Sequence, residues 1–225
     1  MGEANPRSIR FQILPATADD FYALAEVEAV SNLAAAKVAR ESNITYLMFG
    51  HPKSGECNKD RARGLNEMLR TDPAMKNYKA VVQDDNGQDK IVAWAQWGFY
   101  TEVQPIKDWT DREWPETANA AACNGIIAEI SSARKKHMSG KTHAFLQVLA
   151  TLPEYRCQGI ASTMLKQGIS EAKEKGLNDF FLTASADGHD LYVKYGFRDI
   201  EHLDMDLERY GGVGDARIIA MGRFD

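Results

Sequence analysis

The stretch Leu149-Ala-Thr-Leu-Pro-Glu-Tyr-Arg-Cys-Gln-Gly-Ile-Ala-Ser162 carries the residues best suited to chemistry. An apolar strand runs into a short loop, and the loop opens a helix at Gly159. Backbone N–H groups at a helix N-terminus have no intrahelical acceptors, so the loop is built to bind phosphate. Gly159 and the small Ala161 let a pyrophosphate approach the backbone closely, and Arg156 adds a positive charge nearby. Pro153, just past the strand, cannot donate to a ladder and favours separation from a neighbouring strand.

Other suggestive patterns fail on their surroundings. Gly140-Lys141-Thr142 looks like the end of an NTPase phosphate loop, but Lys135 stands where its first glycine belongs, and a helix precedes it instead of a strand. Asn43-Ile44-Thr45 is a glycosylation sequon, which matters only in the secretory pathway. The five histidines, His51, His137, His143, His189 and His202, lack ligand spacing, so no metal is expected. Arg134-Lys135-Lys136-His137 reads as a basic helix end that complements the helix dipole.

Positioning these residues takes a folded core, and 225 residues at 44% apolar content can bury one. With 27 basic against 32 acidic residues the net charge is −5, which argues against a nucleic-acid partner. The start MGEANPRSIRFQ has no apolar h-region and no later run approaches a membrane span, so neither secretion nor a membrane partner is expected. Cys57, Cys123 and Cys157 form no disulfide or zinc pattern. The expected location is a reducing cytoplasm.

Strand patterns cover Ser8–Leu14, Tyr78–Gln83, Lys90–Tyr100, Ala144–Ala150, Phe180–Ala184, Phe197–Leu207 and Ala216–Phe224. Asn86-Gly87 marks a hairpin between the second and third. Helical spacing predicts a helix capped by Thr17 or Asp19 with Phe21, Leu24, Ala25 and Val27 on one face. It predicts another over roughly Glu116–Met138, one over Gly159–Lys175 and a short one over Asp187–Lys194. Ser31 to Met75 reads as helical pieces broken at Gly50-His51-Pro52 and Pro73. With no repeat or linker, the expectation is one α/β domain, 1–225, with a mixed, mostly antiparallel sheet, helices on both faces and a helical insertion over about 105–142.

Arg156-Cys157-Gln158-Gly159-Ile160-Ala161 resembles motif A of the GNAT superfamily of N-acetyltransferases, Gln/Arg-x-x-Gly-x-Gly/Ala. Leu191-Tyr192-Val193-Lys194-Tyr195-Gly196-Phe197 resembles the superfamily's later Leu-Tyr-x-Lys-x-Gly-Phe motif, in the right order and one helix and one strand downstream. The resemblance covers most of Ile9–Phe224. The long insertion is more similar to the uncharacterised fungal-type members than to the bacterial drug-resistance ones.

The resemblance implies acetyl-CoA as acyl donor, with no metal. Its pyrophosphate would lie on Arg156, Cys157, Gln158, Gly159, Ile160, Ala161 and Ser162. Its pantetheine arm would pair with Leu149, Ala150 and Thr151 like an added strand. Ser185 stands where many relatives carry a CoA-contacting asparagine. Tyr192 is the expected general acid for the departing thiolate, and the N–H of Leu149 or Ala150 the expected oxyanion donor. Where some relatives place a strand carboxylate, this chain has Phe145 and Gln147, which leaves Glu129 and His143 as candidate bases. An acceptor pocket is expected from Ser31–Phe49, Trp94, Trp97 and Trp109–Trp114, with Tyr46 and Phe49 among its aromatics; core packing is the competing reading of these rings. The acceptor is read as a small-molecule primary amine, and homodimerisation is left open. The competing functions are a non-catalytic acyl-CoA sensor and a protein acetyltransferase.

Overall fold

The computed structural model describes residues 9–34, 43–50, 55–83 and 86–225. Seven strands form one sheet in the order β1-β2-β3-β4-β5-β7-β6. They are β1 (Gln12–Pro15), β2 (Met75–Gln83), β3 (Asp89–Tyr100), β4 (His143–Thr151), β5 (Asp179–Ala184), β6 (Arg198–Asp206) and β7 (Asp215–Phe224). Every neighbouring pair is antiparallel except β4 and β5. Strands β2 and β3 form a hairpin from the Gln83↔Asp89 pair, and in their connection Gly87 takes φ +75°, a left-handed conformation that glycine adopts without strain. Ser8, His51, Pro52, Asp84 and Asp85, parts of expected strand and turn segments, lie outside the described residues.

The helices cover both faces. Helix α1 (Phe21–Ala34) begins after a short turn in which Asp20 accepts from the backbone and hydroxyl of Thr17. Its Phe21, Leu24 and Val27, with Leu65 of α3 (Glu56–Thr71), bury Trp94, Val148 and Ala150. Helix α4 (Ala120–Met138) extends that face, with Ala133 and Met138 over Phe145, Phe181 and Ala220. Farther along, its Ala122, Cys123 and Ile126 meet Met48 of α2 (Ile44–Phe49) and Met205. The opposite face carries α5 (Ile160–Glu174) and α6 (Ala186–Lys194). Ile160, Met164, Leu165 and Ile169 of α5 cover Ala93, Ala95, Trp97 and Leu146. The approach is close: a Cβ on Gly168 would lie 2.1 Å from the Trp97 ring, so only glycine fits.

The insertion is less helical than its composition suggests. Its helix starts at Ala120, capped by the Asn119 side chain, which accepts from the Ala122 N–H at 3.1 Å. Before it, Arg112 anchors the irregular segment by bonding Asp60 at 2.9 Å and stacking on Trp114 at 3.5 Å.

The sheet opens where β4 and β5 diverge. They pair only through Ala144↔Phe180, Phe145↔Phe181 and Leu146↔Leu182. There β4 also bulges: Trp97 faces Leu146 and Gln96 faces Val148, so Gln147 is the extra residue. A bulge bends its strand and increases the local twist, which turns the remainder of β4 away from β5.

Candidate active site

The loop between β4 and α5 exposes unused donors. Cys157 takes φ +60° and Gly159 φ +82°, the former being the one non-glycine residue with positive φ among the described residues. Left-handed residues between right-handed or extended ones turn successive N–H groups toward one concavity. Thr163 donates to the Gly159 carbonyl at 2.9 Å, but the N–H groups of residues 157–162 reach no acceptor among the described residues. A Cβ built on Gly159 meets nothing within 4 Å. The loop therefore has both the donors and the room for a diphosphate.

The neighbouring edge of β4 follows from one bond. Leu152 N–H donates to Val92 O at 2.9 Å, so in an antiparallel ladder Ala150 and Val148 also point toward β3. Leu149 and Thr151 then turn their main-chain groups into the gap that β5 has left. This narrows one expectation: Ala150 is committed to the ladder, and Leu149 is the residue of the two whose N–H faces the gap.

Across the gap, Ser185 is exposed at the start of α6 and its hydroxyl makes no cap bond. Tyr192 is 7% exposed, packs edge-on to Phe197 at 6.0 Å, and its phenol makes no hydrogen bond among the described residues. Burial pushes that phenol well above its ordinary value, so it stays a proton donor throughout the physiological range. Tyr195, quoted in the motif but given no role by sequence reasoning, stands at the mouth of the loop. The Ser162 hydroxyl and the Lys166 and Lys194 ammonium groups hold its phenol below the usual value.

Arg156 behaves differently from the sequence expectation. Its guanidinium donates to Thr151 O at 3.3 Å and Ser31 O at 2.7 Å, so its charge is spent on two carbonyls. Cys157 is exposed, with no partner among the described residues. A nucleophilic thiol needs an activating neighbour, so Cys157→Ala should keep kcat within about threefold of the parent. Lost turnover with intact CoA binding, or an acetyl-cysteine found by mass spectrometry, would establish a ping-pong route instead.

Neither candidate base reaches the gap. Gly125, Glu129 and Lys136 share one side of α4. That side meets β6 and the turn after it: Lys136 bonds Glu201 at 2.8 Å, and the Tyr210 hydroxyl covers Gly125. Arg134, on the other flank, lies over Phe145 of β4. Glu129 is thus turned away from the parted strands.

His143 is 2% exposed and stacks on Tyr100, while one ring nitrogen faces Lys141 O at 3.1 Å and the other Arg134 at 3.1 Å. Burial and the Arg134 charge push its pKa down to about 4 from 6.5, with the Lys141 carbonyl opposing them. It is a neutral core imidazole. Because the unfolded chain takes up this proton near 6.5 and the folded one near 4, the stability it supports is complete above pH 6.5 and falls as pH drops toward 4. The full loss is about 3 kcal/mol. Thermal melts from pH 7 to 4 should show a shallower decline for His143→Gln than for the parent; equal declines would contradict this.

Two of the expected pocket aromatics are core residues. Trp97 lies under α5, and Trp94 is buried under α1, its indole bonded to Asn77 at 3.0 Å. Phe49, half-buried, remains on the α2 side, 5.9 Å from Trp114.

The sequence model of the acetyltransferase (GNAT) family matches residues 84–197, from the hairpin turn through the β4–α5 loop to Phe197. The chain belongs to that family. It is a GNAT acyltransferase, and its fold agrees throughout. The histone acetyltransferase HPA2 and related acetyltransferase from Corynebacterium glutamicum is 21% identical, with a TM-score of 0.56 over 95% of each chain. The PaiA N-acetyltransferase from Thermoplasma acidophilum, solved with coenzyme A, gives 15% and 0.53 over 96% of this chain and 100% of that one. The C-terminal condensation domain of Ebony, solved with beta-alanyl-dopamine, gives 13% and 0.61 over 96% and 100%. No curated protein matches by sequence. Among the described residues no cluster of three or more His, Cys, Asp or Glu is placed to hold a metal ion, and no helix is long and apolar enough to cross a membrane.

Proposed function

We propose that this GNAT protein transfers an acetyl group from acetyl-CoA to a primary amine of a small molecule by direct attack. The observation that carries the reading is the parting of β4 and β5 beside the N–H groups of residues 157–162, which reach no acceptor among the described residues. Bound acetyl-CoA supplies the thioester acyl group. The N–H groups of Cys157, Gln158, Gly159, Ile160, Ala161 and Ser162 bind its diphosphate. Leu149 and Thr151 offer the amide arm the edge that β5 has vacated, and Ser185 offers a hydroxyl from the other side.

Leu149 N–H stabilises the negative charge that develops on the acyl oxygen. The amine nitrogen bonds the acyl carbon as the C–S bond breaks, and Tyr192 gives its proton to the departing sulfur. The proton shed by the amine returns to the phenol through water, so the step balances as amide plus CoA thiol. Positioning supplies much of the rate, because an amine held against a fixed thioester reacts as though within one molecule. With α5 and α6 holding the donor from one face, the acceptor enters from the face of α1, α2 and α4, where Gln147 is exposed. Gln147 orients the amine or a water without taking a proton.

The insertion supports a small acceptor. Trp114 packs on Phe49, and Asn119 bonds the Tyr210 carbonyl at 2.8 Å, which draws the segment across α2 and the β6–β7 turn. The length of the insertion favours the fungal-type members, and three free thiols suit a reducing cytoplasm. Thiol release from acetyl-CoA, measured with phenylethylamine, aniline, spermidine, lysine and a lysine peptide, tests the reading. Release should depend on a small amine and equal its acetylated product. Donor binding without release would mean a sensor, and release with the peptide alone a protein acetyltransferase.

A further inference from the structure

The guanidinium of Arg156 joins three parts of the molecule. It comes from the β4–α5 loop, reaches Thr151 O at the end of β4, and bonds Ser31 O of α1. A main-chain carbonyl keeps a second lone pair for a side-chain donor, and a charged donor makes the stronger bond. Around it the packing is polar and incomplete. Ser31 and Thr151 are 3% and 9% exposed, and the hydroxyls of both, with the side-chain amide oxygen of Gln158, are buried without partners among the described residues. Arg156 bridges the two sides of this seam.

The two elements it joins have different duties. Thr151 lies on the edge that faces the donor gap, whereas α1 covers Val148 and Ala150 and walls the acceptor side. Resting on the acetyltransfer reading above, we propose that Arg156 is a positioning residue that sets α1 against the donor-binding edge, governing acceptor binding instead of phosphate binding. Two carbonyls on separate elements need a planar fork with several donors. A lysine ammonium keeps the charge but cannot reproduce that geometry.

The test compares Arg156→Lys and Arg156→Ala with the parent. CoA affinity is read by calorimetry, and KM and kcat with whichever of phenylethylamine, aniline, spermidine, lysine or the lysine peptide turns over fastest. Hydrogen exchange of residues 28–34 in α1 provides a readout that needs no turnover. Both variants should bind CoA within about threefold of the parent, raise the amine KM about tenfold, and exchange faster at residues 28–34 with α5 unchanged. Added guanidinium should partly restore the KM of Arg156→Ala. A large loss of CoA affinity in Arg156→Ala, recovered by Arg156→Lys with amine KM unchanged, would make Arg156 a phosphate ligand and overturn the proposal. Unchanged KM and exchange in both variants would overturn it too. A parent that binds no CoA and releases no thiol would instead defeat the acetyltransfer reading, while the exchange comparison would still decide the joint.

Discussion

Gly159→Glu should abolish CoA binding and leave a folded protein. The added Cβ meets no protein atom within 4 Å, so nothing in the core has to move. The backbone there stands at φ +82°, and a side chain in the left-handed region costs about 1–2 kcal/mol, which a domain of this size tolerates. The carboxylate, however, projects from the start of α5 into the concavity formed by the N–H groups of residues 157–162. It competes for their positive field and repels a diphosphate. A loss of at least about 100-fold in affinity, equivalent to ~3 kcal/mol, is expected by calorimetry. Gly159→Ala carries the same strain without the charge and should lose far less. A Gly159→Glu protein that melts like the parent and binds CoA within threefold would remove the phosphate from this loop.

Tyr192→Phe should lower kcat about 100-fold, the lower end of what loss of a general acid costs, because water partly substitutes. The substitution keeps the ring against Phe197 and removes an oxygen that bonds nothing among the described residues, so the melting temperature and CoA affinity should stay near those of the parent. The loss belongs in kcat because the proton is needed only as the thiolate leaves. Burial raises the phenol's pKa, so Tyr192 imposes no fall in kcat between pH 7 and 10. Full kcat in Tyr192→Phe would make this tyrosine a packing residue.

What could be read from the sequence was local. Asn86-Gly87 placed the hairpin, the unbroken apolar run placed β4, and Gly159 and Gly176 bounded α5, because short-range backbone chemistry decides each of these. The bulge at Gln147 was hidden, since it exists only in the register between β3 and β4. The insertion of β7 between β5 and β6 likewise depends on long-range pairing. Trp97 looked like a pocket residue until Gly168, far along the chain, let α5 settle on it. His143 looked like a base until Arg134 and burial made it neutral. Arg156 announced a charge beside the phosphate loop, but its partner Ser31 lies 125 positions earlier, beyond the reach of any spacing argument. Motif residues therefore gave the chemistry's location, and contacts between distant segments determined which side chains are free to take part.

We propose one donor site that spans the loop of residues 157–162 and the vacated edge of β4. The most direct measurement is a titration of ¹⁵N-labelled protein with CoA, followed by amide shifts and hydrogen exchange. The largest changes are expected at residues 157–162, Leu149 and Thr151, with Ala150 much less affected because its N–H already serves β3. Changes centred elsewhere, for instance on the surface groove lined by Glu56, Arg63, Pro115, Glu116 and Thr117, with residues 157–162 silent, would contradict it.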